Sequence, residues 1–172
     1  MSPRANVKLL TRHDLEKLRQ LGLKEHEDFF QRNPQLRTAY FDSLIAVCLC
    51  QGAATHYLKP IEYPRLKDFD IWHFYCESPN TGFPYRAHKR LEKAYMDRPV
   101  DFLKRAIPKE IVESHTYQPE KIIMSYLQQR NTETKRLLLQ KSIIGLHPER
   151  IFAQVLWNPD MSRPAPPDDK KA

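Results

Sequence analysis

A hydrophobic run with two aspartates at its head decides the fold of this chain: Asp68-Phe69-Asp70-Ile71-Trp72-His73-Phe74-Tyr75. The run predicts a buried β-strand that extends to Cys76. Alternation along a strand places Asp68 and Asp70 on one face. Two carboxylates on one face repel each other unless a cation lies between them, so the pair predicts a cation site.

A third aspartate lies in a second short apolar run, Pro99-Val100-Asp101-Phe102-Leu103. We interpret residues 100–103 as another strand. Three carboxylates on neighbouring strands make a site of hard oxygen ligands suited to Mg²⁺. In the alternative interpretation the acids form structural salt bridges with nearby cations, namely Lys67, Arg98, Lys104 or Arg105.

The residues before this run predict two helices and a strand. A helix is expected from Thr11, its N-cap, to Gly22, which would end it. Apolar residues at helical spacing predict a second helix over residues 34–45. Residues 46–50 read as a buried strand that ends in a glycine turn at Gln51-Gly52.

The residues after this run predict turns, then helices, then a strand. Residues 78–85 are rich in turn formers, and the basic stretch from there to Arg98 predicts a loop or a short helix. Helices are expected from Pro119 and over residues 132–141, followed by a strand at 142–148. We therefore predict an α/β (α+β) protein with a small mixed sheet and flanking helices.

Composition restricts the class of protein. The 172 residues favour one domain over residues 1–157, with a core at 34–105 and a helical part at 108–157, and a disordered tail at 158–172. No apolar run reaches membrane-spanning length and no signal peptide is visible, so we expect no membrane partner and a cytoplasmic location. Three cysteines within or beside apolar segments favour reduced thiols: Cys48, Cys50 and Cys76.

The net charge of +7 favours polyanionic partners such as nucleotides or nucleic acid. With only 4 glycines, the chain shows neither a phosphate-binding loop of the Walker type nor a dinucleotide fingerprint. The basic stretch around Asp101 is either a solvated face or a phosphate-binding surface. We predict the latter role for Arg86, Lys89 and Arg90.

The order of these motifs resembles the nucleotidyltransferase superfamily of DNA polymerase β type. The matching segments are Cys50-Gln51-Gly52-Ala53, Asp68-Phe69-Asp70-Ile71 and Val100-Asp101-Phe102. The resemblance implies that Asp68 and Asp70 bind up to two Mg²⁺ ions, and that Asp101 binds the second ion and activates the acceptor hydroxyl. It also implies that Gly52 and Ala53 approach the phosphates of the nucleotide.

The resemblance implies an enzyme that moves a nucleoside monophosphate from a nucleoside triphosphate to an acceptor. The acceptor would be a small molecule, a protein side chain or an RNA end. Two other functions stay open. One is an inactive module of the same fold with a regulatory or toxin–antitoxin role, since Ala53 stands where the family carries Ser or Gly. The other is a basic nucleic-acid-binding domain whose acids are structural.

Two aromatic residues on the aspartate strand have predicted orientations. Alternation directs His73 away from the aspartates, which favours a packing role over a metal-ligand role. Trp72 lies on the aspartate face, where core packing is preferred to stacking on a base.

Overall fold

The computed structural model describes residues 9–84, 88–116 and 118–162. It contains helices and strands of one mixed α and β fold, as the sequence predicts. The α-helices are α1 (Arg12–Arg32), α2 (Arg37–Tyr40), α3 (Gln51–Leu58), α4 (Lys109–Ser114), α5 (Pro119–Leu127) and α6 (Glu133–Leu138). The strands are β1 (Leu44–Cys50), β2 (Phe69–Cys76), β3 (Lys89–Tyr95), β4 (Arg98–Ile107), β5 (Ile143–His147) and β6 (Val155–Trp157).

The six strands form one sheet in the order β3-β4-β2-β1-β5-β6. Strands β2 and β4 are parallel, and every other neighbouring pair is antiparallel. The three strands predicted around the aspartates are therefore central and adjacent. The hairpin partner β3 and the C-terminal strands β5 and β6 extend the sheet on either side.

Helices cover both faces of the sheet. One face packs the leucines of α1 and the alanines of α3 against alternate residues of β1, β2 and β4. The other face packs α5 and α6 against the intervening residues of the same strands. Leu15 and Leu18 of α1 are completely buried, and each burial of this kind stabilises the fold by about 1.5–3 kcal/mol.

Helix α1 begins as predicted but runs ten residues past the predicted end. Thr11 and Asp14 form a reciprocal capping box at its start. The prediction that Gly22 ends the helix is wrong, because Gly22 lies inside it at the point where α1 meets the sheet. A Cβ atom at Gly22 would lie 2.9 Å from Cγ1 of Val47, so the glycine allows close packing of helix on sheet.

Residues 89–95 of the basic stretch before Arg98 form an edge strand, so the prediction of a loop or short helix is wrong for this part. Strand β3 pairs with β4 through a turn at Met96 and Asp97, which have φ values of 52° and 61°. Two consecutive residues in the left-handed region are typical of a tight hairpin. A register shift between Leu91 and Tyr95 breaks the alternation that would have indicated a strand.

The prediction of a single helix over residues 34–45 is also wrong. Two 3-10 turns at Pro34–Leu36 and Phe41–Ser43 flank the four-residue α2, and Leu44 already belongs to β1. The predicted helix from Pro119 is confirmed, as are the strand cores at 46–50, 69–76, 100–103 and 143–147. The predicted tail lies largely outside the described residues, and no helix among the described residues is both long and apolar enough to cross a membrane.

A candidate nucleotide site at the β1–α3 junction

A polar cavity of about 230 Å³ lies where β1 passes into α3. Its walls come from the segment Gln51–Ala53, from the linker that leads into β2, and from the residue two before β5. The lining residues are Gln51, Gly52, Ala53, Tyr63, Arg65, Lys67, Asp68, Asp70 and Lys141. Four predicted site residues, Gly52, Ala53, Asp68 and Asp70, thus line one cavity.

The junction between β1 and α3 has an unusual backbone. Gln51 has a φ of 63°, in the left-handed region that non-glycine residues seldom adopt. Its side-chain amide donates a hydrogen bond to the carbonyl oxygen of Leu137. The N-cap of α3, Cys50, makes no side-chain capping hydrogen bond, so the first N–H groups of α3 carry no side-chain cap at the cavity wall.

Asp70 and Asp101 occupy matching positions on the parallel strands β2 and β4. Residues paired in this way point to the same face, so both carboxylates lie on the face that α5 and α6 cover farther along the strands. Along the other edge of β2, Asp70 pairs with Cys50 of β1. Asp101 therefore lies on the same face of the sheet as Asp70, as a shared site with Asp70 requires.

Arg90 and His88 contact Asp101 directly. The Arg90 guanidinium donates a hydrogen bond of 2.6 Å to Oδ2 of Asp101, and Nε2 of His88 lies 2.9 Å from Oδ1. The same Arg90 nitrogen is 4.0 Å from Oδ2 of Asp68. A cation therefore does lie among the acids: Arg90, which the salt-bridge alternative did not name, forms an ion pair with Asp101.

The pKa of Asp70 is raised to about 7. Burial is the largest cause, and the negative charges of Asp68 and Asp101 add to it. Arg90 and His88 oppose the rise without cancelling it. Asp70 thus carries the repulsion that the paired aspartates of the sequence predict, and a cation at this position would relieve it.

The donor set of Asp68 and Asp70 suits a hard cation, because both offer carboxylate oxygens at one cavity. Among the described residues, however, no group of three His, Cys, Asp or Glu side chains is arranged to hold a metal ion. Both oxygens of Asp101 already have partners, His88 and Arg90. Asp68 and Asp70 are the residues that would hold Mg²⁺ here, and Asp101 would join them only if Arg90 turned away.

The cations predicted to bind phosphate do not line this cavity. Arg86 lies outside the described residues. Lys89 pairs with Phe102, so it lies on the α1 face of the sheet, opposite the aspartates. Arg90 forms an ion pair with Asp101. It therefore lies beside the site but is not among the residues that line the cavity.

Three other cations line the cavity instead: Arg65, Lys67 and Lys141. Arg65 and Lys67 immediately precede the Asp-x-Asp segment, a local signal that sequence analysis could have used. Lys141 has no such signal, because only the pairing of β5 with β1 brings it to the same end of the sheet. With two carboxylates and three cations, the lining has a net positive charge.

Tyr63 connects the two walls of the cavity. Its hydroxyl accepts a hydrogen bond of 2.8 Å from Nζ of Lys141 and lies 3.2 Å from a Cβ built on Gly52. Its backbone oxygen is 2.9 Å from Nδ1 of His56. Gly52 therefore permits the close approach of an aromatic ring, and a larger residue would push this ring away.

The predicted orientations of the two aromatic residues are confirmed. Nε2 of His73 lies 2.8 Å from the carbonyl oxygen of Gly22 on the α1 face, and burial lowers the pKa of His73 to about 3. Trp72 lies on the aspartate face and is 5% exposed, so it packs in the core.

Comparisons of the chain with protein-family models, with curated proteins and with solved structures returned no match.

Proposed function

We propose that this protein is a Mg²⁺-dependent nucleotidyltransferase that moves a nucleoside monophosphate from a nucleoside triphosphate to an acceptor hydroxyl. One observation carries the proposal: Asp68 and Asp70 share a positively charged cavity with the N-terminus of α3. A helix N-terminus binds phosphate through free N–H groups and the helix dipole. Carboxylates at the same cavity would hold the cation that accompanies a triphosphate.

The cavity residues have distinct roles in this proposal. Mg²⁺, when bound, would neutralise the charge that develops on the leaving pyrophosphate. Arg65, Lys67 and Lys141 bind the phosphate oxygens, because all three cations line the same cavity. With Arg90 turned away, Asp101 accepts the proton of the acceptor hydroxyl while the hydroxyl oxygen bonds to the α-phosphorus and the bond from the α-phosphorus to the leaving pyrophosphate oxygen breaks.

A specific contact favours a second candidate function, that of an inactive module with the same fold. The Arg90 guanidinium bonds to Asp101 and approaches Asp68, where the family resemblance implies a metal ion. A fixed guanidinium would balance the carboxylates permanently and leave Asp101 unable to accept a proton. Such a protein would bind a nucleotide without turning it over.

The test is to titrate the protein with each of the four common nucleoside triphosphates by calorimetry, with Mg²⁺ and with EDTA. We expect binding only with Mg²⁺, and at least a tenfold loss of affinity in Asp70→Asn, because the variant lacks a charged ligand. Asp97→Asn is the matched control, since Asp97 is an exposed aspartate in the β3–β4 turn. Equal binding by both variants and the unmodified protein would contradict the proposal.

A second measurement separates the enzyme from the inactive module. Pyrophosphate release is followed with the protein alone, with added RNA, and with Arg90→Gln. Release by the unmodified protein favours the enzyme, whereas tight Mg²⁺-dependent binding with no release under any of these conditions favours the inactive module.

A further inference from the structure

A second cavity, of about 550 Å³, lies on the same face of the sheet but beyond the aspartates. Its floor is formed by Phe74 of β2 and Arg105 of β4, which are register partners. Phe74 is four residues past Asp70, so it lies about 13 Å farther along the strand. Buried Trp72 stands between them, and this cavity is therefore separate from the one at the β1–α3 junction.

The most unusual residue of the second cavity is Lys135 on α6. It is 6% exposed, and its ammonium donates hydrogen bonds to Oε1 of Gln129 and Oδ1 of Asn131, at 2.6 and 2.8 Å. Both acceptors are neutral amides. A positive charge is costly to bury, and among the described residues no acidic side chain forms an ion pair with Lys135, so this ammonium favours an anion as a further partner.

Aromatic rings and a second cation complete the lining. Nζ of Lys135 lies 4.1 Å from the ring centroid of Tyr126, and the Tyr126 and Phe74 rings meet edge to face at 6.5 Å. The Arg105 guanidinium lies 5.2 Å from the Trp72 ring centroid and donates a hydrogen bond to the carbonyl oxygen of Lys104. Glu77, the residue that follows β2, also lines the cavity.

We propose that this second cavity binds a nucleoside monophosphate, with its phosphate at Lys135 and Arg105 and its base among the aromatic rings. The volume lies in the range of small-molecule sites, and the lining combines apolar and aromatic residues with polar and charged ones. Two cations against one carboxylate select an anion, and the rings select a planar group. In this proposal Glu77 would accept a hydrogen bond from the amino group of a base, since it is an acid in the same lining.

The site requires neither a metal ion nor the aspartates, so it stands independently of the proposed transfer reaction. If both proposals hold, the protein binds two nucleotides at separate places on one sheet face. A bound monophosphate would then be a second substrate or an effector of the first site.

The test is calorimetry in EDTA with the four common nucleoside monophosphates, their parent nucleosides and inorganic phosphate. We expect at least one monophosphate to bind at least tenfold more tightly than its nucleoside and than phosphate alone. Equal affinity for the nucleoside would refute the role of the cations. Equal affinity for phosphate would refute the role of the rings.

Four variants locate the binding. Arg105→Gln should weaken it at least tenfold, and Thr134→Trp should abolish it by filling the cavity without removing a charge. Arg136→Gln is the matched control, an exposed arginine one residue from Lys135, and it should leave binding unchanged. Asp70→Asn should also leave it unchanged.

Circular dichroism melts establish that each variant is folded. The absence of millimolar binding by any monophosphate would overturn the proposal. So would full binding by folded Arg105→Gln and Thr134→Trp, or a loss of binding in Asp70→Asn.

Discussion

At the scale of a single residue, Asp70 is a candidate metal ligand whose negative charge is destabilised by its surroundings. Its pKa of about 7 in the folded protein compares with 3.8 for an ordinary aspartate. At a pH between these two values, Asp70 is therefore protonated in the folded state and ionised in the unfolded state. Its contribution to stability is fully present below about pH 4, and it falls as the pH rises to about 7.

We therefore predict that Asp70→Asn raises the free energy of unfolding at pH 8 by about 1–3 kcal/mol in the absence of metal, because it removes a charge that burial and two neighbouring carboxylates disfavour. At pH 4 the gain should be close to zero. The measurement is urea unfolding in EDTA at both pH values, with Asp97→Asn as control. A loss of stability at pH 8 would instead indicate that the charge of Asp70 is structurally required.

Gln51 is the second residue with a local conflict. A left-handed backbone at a non-glycine residue costs about 1 kcal/mol or more and persists only where surrounding contacts enforce it. The neighbouring glycine, Gly52, does not have the left-handed backbone; it makes room for the ring of Tyr63. The residue types alone did not show that Gln51 has the left-handed backbone and that Gly52 provides the space.

At the scale of elements, the contact of α1 with the sheet depends on one glycine. Gly22 places the helix backbone against Val47 of β1, and its carbonyl oxygen lies within hydrogen-bonding distance of His73 of β2. A helix interior usually prefers alanine to glycine by about 1 kcal/mol. The close packing opposes that preference.

We predict that Gly22→Ala lowers the free energy of unfolding by about 1–3 kcal/mol, because the added methyl group overpacks the contact with Val47 by more than the helix gains. Gly82→Ala is the control, since a Cβ there meets no atom within 4 Å. Both variants are compared by chemical denaturation. A stabilised Gly22→Ala would show that the helix shifts without cost.

At the scale of the whole molecule, a buried ion pair joins α1 to the sheet. Lys104 of β4 is 1% exposed, and its ammonium donates a hydrogen bond of 2.8 Å to Glu25. Burial raises the pKa of Glu25, but hydrogen bonds and charges from Arg32 and Lys104 outweigh this and hold the pKa below 4.5. The stabilisation is thus present above about pH 4.5 and is lost as the pH falls through the folded pKa.

We predict that Glu25→Gln lowers the free energy of unfolding at pH 7 by about 3–5 kcal/mol, because Lys104 is left buried without a counter-charge. Glu16→Gln removes the comparable surface pair with Arg19 and should cost less than about 1 kcal/mol. Urea unfolding of the two variants gives the comparison. Equal losses would mean that water reaches Lys104 when Glu25 is neutral.

The sequence by itself determined the central strands, the capped start of α1 and the shared face of Asp70 and Trp72. Each of these follows from alternation or from a capping pattern between near neighbours, which local physics fixes. The proximity of Gly52 to Asp68 and Asp70 was implied only by the resemblance of their motifs to a known superfamily, and all three residues line one cavity.

Only the tertiary structure decided which cations lie near which acids. Arg90 reaches Asp101 because the β3–β4 hairpin sets them opposite each other, and a register shift between Leu91 and Tyr95 disrupts the alternation of β3. Lys141 reaches the cavity and Lys104 reaches Glu25 across more than seventy residues of chain. Such contacts depend on the order of strands in the sheet and the path of α1 across it, and a charged residue carries no local signal of its distant partner.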